Sequence, residues 1–233
     1  MSYESLEWDS AFFGFAIGRV QVPTPEELAP SVMQADADGI RCLYLLCPAG
    51  DDQLLITALA AGFLPYDIRL ELDRELGAAD ALPAEVRRAT EGDREALDLI
   101  ARERFENTRF FADPHFPRSR CRDLYSEWLN RGLTTPPDRV TLTTTDAGGF
   151  IICRAEPRSA RGVIELVAVA AGRGGAGTGG LLVDAALTWF AGHGLKSSLV
   201  VTQGSNLAGQ RLYQRHGFRS REVGHWLHRW SSP

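Results

Sequence analysis

Short apolar runs and longer amphipathic stretches alternate from the start of the chain. Phe15–Val22 reads as a strand, Pro25–Ala37 as a helix entered through a proline, and Ile40–Cys47 as an apolar strand of the buried kind. A helix over Asp51–Ala61 and a strand over Tyr66–Leu72 complete this first series. From Gly77 to Ala84 the period is lost and Gly and Pro appear, so the chain is expected to divide there. The expectation is an N-terminal α/β lobe over residues 1–80 and a second domain over residues 85–233.

A second series follows. Val86–Ala89 predicts a strand and Asp93–Phe105 a helix with Leu97, Ile100 and Ala101 on one face. Asn107–Ser119 is aromatic and irregular, and Cys121–Arg131 is again helical. Strands over Arg139–Thr145 and Phe150–Ala155 are joined at Asp146-Ala-Gly-Gly149, and a strand over Val163–Val169 runs into a glycine cluster. A helix over Gly179–His193, a strand over Ser197–Thr202, a helix over Leu207–His216 and a strand over Ser220–Trp230 end the chain. The first lobe echoes β-α-β units only loosely, and no short tandem repeat is evident.

Composition narrows the classes. With 233 residues, 44% of them apolar, and a net charge of −5 spread along the chain, disorder and a polyelectrolyte partner are disfavoured, so nucleic acid is not expected. Cys42, Cys47, Cys121 and Cys153 lack the paired spacing of metal or redox motifs, and the histidines share no ligand spacing, so no metal is expected. The start, Met-Ser-Tyr-Glu-Ser, has no signal-like apolar core, and no apolar run approaches the roughly 20 residues of a membrane helix. A cytoplasmic protein without a membrane span is the expectation.

Two segments carry chemistry. The cluster Gly172-Arg-Gly-Gly-Ala-Gly-Thr-Gly-Gly180 frees the backbone for conformations closed to other residues, at the start of a helix whose dipole and unbonded N–H groups favour an anion such as a pyrophosphate. Gly172-x-Gly174-x-x-Gly177 also satisfies the dinucleotide pattern, but the following strand ends Val200-Val-Thr-Gln-Gly204, without the acid such a site uses on the ribose. In Asn206-Leu-Ala-Gly-Gln-Arg-Leu-Tyr-Gln-Arg-His-Gly-Phe218, Asn206 is a good helix N-cap and Gly217 a good C-terminal residue, which places Tyr213 well inside the helix.

These two segments, in this order, resemble the GNAT acetyltransferases. The resemblance implies an α/β GNAT fold, a splayed mixed sheet flanked by helices, with acetyl-CoA as cosubstrate. It implies that Val167, Ala168 and Val169 pair with the pantetheine, and that Arg173, Gly174, Gly175, Ala176, Gly177, Thr178 and Gly179 hold the pyrophosphate. Asn206 and Arg215 are further coenzyme candidates. Gly174 stands where the family has Arg or Gln, with Arg173 one position early. Tyr213 occupies the position of a general acid: a phenol, pKa about 10, stays protonated until the departing thiolate, pKa about 8.5 as a free thiol, needs a proton. Glu165 is a candidate base, on the face of Val167 and Val169 if side chains alternate, or else an edge charge; His115 is a second.

Further stretches, Glu7-Trp-Asp-Ser-Ala-Phe-Phe-Gly14, Ala101-Arg-Glu-Arg-Phe-Glu-Asn-Thr-Arg-Phe110, Asp113-Pro-His-Phe-Pro117 and Leu124-Tyr-Ser-Glu-Trp-Leu129, resemble the TDP-fucosamine acetyltransferases. That likeness implies acetylation of the 4-amino group of a TDP-linked 4,6-dideoxyhexose for cell-surface polysaccharide such as enterobacterial common antigen. It also implies a homodimer. The aromatic segment offers Arg109 for phosphate, Phe110, Phe111 or Phe116 for a base or deoxysugar face, and His115. A GNAT enzyme acting on another amine, or a non-catalytic acyl-CoA sensor, are the alternatives.

Overall fold

The computed structural model describes residues 3–231 except 22, 23, 79, 80, 135, 136, 174 and 176. The first half contains β1 (Tyr3–Ser5), α1 (Glu7–Phe13), β2 (Ile17–Val20), α2 (Pro25–Ala37), β3 (Cys42–Pro48), α3 (Asp52–Ala60) and β4 (Leu64–Glu75). Then come β5 (Val86–Arg88), α4 (Arg94–Arg104), α5 (Arg109–Ala112), α6 (Arg118–Leu133), β6 (Arg139–Thr144), β7 (Gly149–Glu156), β8 (Arg161–Val169), α7 (Thr178–Gly192), β9 (Ser197–Gln203), α8 (Leu207–Arg215) and β10 (Arg219–Trp230). β1 and α1 lie ahead of the first expected strand, where a three-residue strand and a two-turn helix are too short to show a period. The irregular stretch before α6 contains one helical turn, α5.

All ten strands form one sheet in the order β1-β2-β3-β10-β4-β9-β8-β7-β6-β5. The residues of the expected lobe, 1–80, therefore share their sheet with the rest of the chain. The last strand of the chain, β10, lies between β3 and β4, and β4 lies between β10 and β9. Leu43, Leu45, Leu70, Leu72 and Leu227 point to the face covered by α2, α3, α7 and α8. Cys42, Tyr44, Phe150 and Ile152 point to the other face, under α4, α5 and α6 and the buried Phe13 of α1.

A repeat lies inside this order. A constant shift of 155 residues carries Cys42–Pro48 onto Ser197–Gln203, Asp52–Ala60 onto Leu207–Arg215, and Leu64–Glu75 onto Arg219–Trp230. Gly39, Gly62 and Phe63 fall on Gly194, Gly217 and Phe218, and the four glycines all have positive φ. Register obeys the same shift: Arg219 pairs with Asp73 and His228 with Leu64, while Arg69 and Gly224 face each other at the centre. The two halves are related by a pseudo-two-fold axis through that pair, and each lends its last strand to the other.

Candidate active site

The parallel strands β8 and β9 pair only from Arg161–Ile164 to Ser197–Val200. Beyond that point β8 stays laddered to β7 as far as Val169, and β9 stays laddered to β4 through Gln203. The edges of Val167, Ala168 and Val169 and of Val201–Gln203 that face each other are thus unpaired, and the sheet opens into a cleft between them. Their free backbone groups suit an amide-bearing ligand that adds as a strand.

The glycine loop closes the end of this cleft. Gly172, Gly175 and Gly177 have φ of 78°, 85° and 83°, which an L side chain adopts only under strain. Gly177 is the N-cap of α7 and no side chain caps that terminus, so its first N–H groups are left for an anion. The missing Cβ atoms let α7 pack closely on α8: one on Gly179 would stand 3.3 Å from Leu212, and one on Gly180 3.3 Å from His216. Arg173 reaches back to the turn before β7, where it pairs with Asp146 over Gly148. Gly174 and Ala176 lie outside the described residues. These features fit the diphosphate and pantetheine of a coenzyme A thioester.

Tyr213 projects from α8 into the core under α7, against Phe218 with ring centroids 5.8 Å apart. Burial alone pushes its phenol up, with no charge or hydrogen bond offsetting it, so the hydroxyl keeps its proton throughout the neutral range. The Asn206 side chain is the N-cap of α8: its oxygen accepts from Gly209 N at 3.0 Å and its amide donates to Thr202 at 2.9 Å. Asp51, its equivalent in the first half, caps α3 the same way by accepting from Leu54 N at 2.9 Å. Arg215 is exposed on the last turn of α8.

The expected face of Glu165 needs correction. Ile152 pairs with Leu166 and Cys153 with Ile164, so Glu165 is the extra residue of a β-bulge and strict alternation fails there. Its carboxylate turns to Arg139, at 2.8 Å, and Arg154, at 2.7 Å, which alternate with the inward Val140 and Cys153; Val167 and Val169 pack on the opposite side. Two guanidiniums occupy both oxygens of this acid.

The aromatic segment builds a polar network beneath the sheet. Arg109 is stacked among Tyr44, Phe110 and Trp226, with its guanidinium carbon 4.1, 4.4 and 4.4 Å from their ring centres. It donates to His228 Nε2 at 2.9 Å, so that nitrogen is the acceptor and Nδ1 carries the hydrogen given to Asp113 at 2.8 Å. Burial lowers the His228 pKa to about 4, with Asp113 opposing and Arg109 assisting. Burial works against the Asp113 carboxylate, but hydrogen bonds from His228, Trp230 and His115 outweigh it and hold its pKa at about 2. His115 Nδ1 meets Asp113 at 2.9 Å and its ring lies on Trp230. Phe110 and Phe116 are buried in the core.

Beside this network is a cavity of about 580 Å³, lined by Tyr66, Asp67, Glu106, Thr108, Phe111, Arg118, Arg122 and Ser205 among others. Of the acceptor-side candidates Arg109, Phe110, Phe111, His115 and Phe116, only Phe111 lines it. Ser205 stands two residues past the end of β9, so the cavity lies beside the open end of the β8–β9 cleft. Among the lining residues that sequence reasoning did not single out are Arg118, Arg122 and Asp67. Arg118 and Arg122 stand one turn apart in the first two turns of α6, with no acidic residue in its first turn, an arrangement the helix dipole opposes. That reversal of the usual charge order is readable in Arg118-Ser-Arg-Cys-Arg122. Asp67 gave no signal, because only the sheet order brings β4 alongside β9.

Among the described residues no group of His, Cys, Asp and Glu is placed to hold a metal ion, and no helix is long and apolar enough to cross a membrane. The profile described as "Acetyltransferase (GNAT) family" matches residues 101–218, just over half of the chain. The chain is 26% identical over 140 residues to the spore coat polysaccharide biosynthesis protein SpsD of Bacillus subtilis, covering 60% of this chain and 48% of that protein, so it spans about half the length of that relative. A GCN5-related N-acetyltransferase of Sphaerobacter thermophilus has a similar structure, with a TM-score of 0.65, 14% identity, and coverage of 94% of this chain and 73% of that one. The glucosamine N-acetyltransferase region of a fungal multi-domain GH3 β-N-acetylglucosaminidase superposes with a TM-score of 0.58 at 16% identity, covering 92% of this chain and 30% of that chain. At these identities the two structures show likeness of fold alone.

Proposed function

The chain belongs to the acetyltransferase (GNAT) family and is an acyltransferase, and from that premise we propose that it acetylates the amine of a sugar nucleotide of the TDP-4-amino-4,6-dideoxyhexose type. The observation that carries this reading is the cavity of about 580 Å³ at the mouth of the β8–β9 cleft. Its size is that of a small-molecule site, and its lining combines two arginines, Arg118 and Arg122, with the carboxylates of Asp67 and Glu106. Arg118 and Arg122, planar and bidentate donors at a helix N-terminus, suit the acceptor's diphosphate, while Phe111 offers an apolar face. The relation to a protein named for polysaccharide biosynthesis supports a sugar acceptor. On this reading residues 1–80 form a lobe that furnishes the acceptor side, the enzyme works in the cytoplasm, and it does so as a homodimer.

Acetyl-CoA supplies an activated thioester. The open edges of Val167 to Val169 would align its pantetheine, and the Gly175 to Gly179 turn at α7 would take its diphosphate, with Arg173 released from Asp146 to join it. Holding the donor and the amine together contributes several kcal/mol through proximity. Tyr213 holds a proton for the leaving sulfur. The reading is tested by incubating the enzyme with acetyl-CoA and a panel of amines, namely TDP-4-amino-4,6-dideoxygalactose, its 4-epimer, free amino sugars and amino acids. Product mass should show one acetyl group gained by the sugar nucleotides at a kcat/KM at least tenfold above the other amines. A preference for an amino acid or a free sugar overturns it.

A further inference from the structure

Resting on the acetyl-transfer reading above, we propose that Asp67, on β4 of the N-terminal half, is the group that takes the proton from the acceptor amine. The placement comes from the exchanged sheet. β4 is laddered to β9 with Arg69 opposite Gln203, and Gly204 N continues the pairing by donating to Ile68 O at 2.6 Å. Asp67 therefore stands beside Ser205, past the end of β9 and beyond the point after Val200 where β9 leaves β8, and both residues line the cavity.

Its carboxylate differs from its neighbours in being uncommitted. Glu71, four residues along β4, is paired with Arg69 at 2.6 Å, and Glu165 is held by two arginines. Asp67 has no ion-pair partner among the described residues, and Arg109 acts on it only from a distance. The cations around it are Arg109, whose charge acts on it, and Arg118 and Arg122, which line the same cavity. The other acid of the cavity is the exposed Glu106, 3.8 Å from Arg122. The phenols of Tyr66 and Tyr125 are both pushed up by burial, and His228 is buried and neutral. Burial raises the Asp67 pKa to about 6, with the Ile68 backbone N–H and Arg109 pulling the other way. Such a group is ionised at neutral pH and basic enough to accept a proton from an attacking amine.

The proton balance closes. The amine lone pair forms a C–N bond at the thioester carbonyl carbon, Asp67 takes one N–H proton, and the C–S bond breaks with its electron pair on sulfur. Tyr213 protonates that sulfur; Asp67 gives its proton to solvent, and solvent restores the phenol. The net change is one amine hydrogen replaced by acetyl and one free thiol.

The experiment compares the full chain with Asp67→Asn and Asp67→Glu, using the best amine of the panel. Asp67→Asn should lower kcat by about a hundredfold, leave the KM for acetyl-CoA within twofold, and remove the acid limb expected near pH 6 in the unmodified enzyme. Asp67→Glu should recover part of kcat and keep an acid limb. Equal kcat and an unchanged limb in Asp67→Asn, with the unmodified enzyme active, overturn the assignment of Asp67 alone. No thiol release by the unmodified enzyme with any amine overturns the acceptor reading and this assignment with it.

Discussion

The halves β2–β4 and β8–β10 are the same β-α-β-α-β path, yet the proposed coenzyme site lies in only one. The difference is local. From β3 and β9 onward the shift is 155 residues, but the preceding strands match at 144, with Ile17 paired to Cys42 as Arg161 is to Ser197. Eleven additional residues therefore separate strand from helix in the second half. They supply the unpaired end of β8 and the glycine loop. In the first half the α2 N-terminus is closed from within, by the Glu27 carboxylate accepting from Thr24 N at 3.0 Å. One fold element thus starts as a self-satisfied helix in one half and as a helix with no side-chain cap in the other.

The largest effect comes from breaking the exchange itself. A fragment of residues 85–233 loses both neighbours of β10 and one neighbour of β9. It should fail to give a folded monomer, checked by circular dichroism and gel filtration. A cooperative melt in the fragment would show the halves to be independent.

That outcome also marks where sequence reading stopped. Most strands and helices were legible because their apolar runs are long and their ends carry Gly, Pro or Asn206. The exchange was not, since strand order depends on contacts between positions more than a hundred residues apart. The repeat hid for a related reason: the halves keep Gly39/Gly194 and Gly62-Phe63/Gly217-Phe218, but their strand faces pack against different helices and so diverged. In the site, the glycine loop and the place of Tyr213 inside α8 could be read from spacing. Asp67 and the arginines of α6 needed the assembled cavity, and the bulge at Glu165 defeated an argument from alternation.

The next effect distinguishes the two exchanged strands. His228 of β10 is buried against Asp113, whereas its equivalent in β4 is the half-exposed Asp73. With the His228 pKa lowered from 6.5 to about 4, the unfolded chain binds a proton that the folded one refuses. Stability is therefore full above pH 6.5 and falls by about 3 kcal/mol on descent to pH 4. Asp113 adds a second loss as pH falls from 3.8 towards 2. Urea midpoints at pH 7, 5.5 and 4.5 measure the first of these; a flat profile would count against the network.

Tyr213 corresponds to the buried Ala58 of α3, which has no hydroxyl to donate. Tyr213→Phe should lower kcat by about a hundredfold with little change in KM. Retained turnover would remove Tyr213 from the proton path.

The smallest effects come from exchanging the helix starts. Gly180 and Glu27 both hold the third position of their helices, α7 and α2. Gly180→Glu gives α7 the internal carboxylate that α2 has, beside the diphosphate site. It should weaken acetyl-CoA binding about tenfold or more by calorimetry, through charge repulsion and the side chain's own claim on the N–H groups. Glu27→Ala opens α2 in return. It should cost about 0.5 kcal/mol of stability and leave acetyl-CoA affinity unchanged, because an exposed N-terminus without the glycine turn has no second contact for a phosphate. Tight coenzyme binding at α2 in this variant would mean that the eleven extra residues are not what separates the halves.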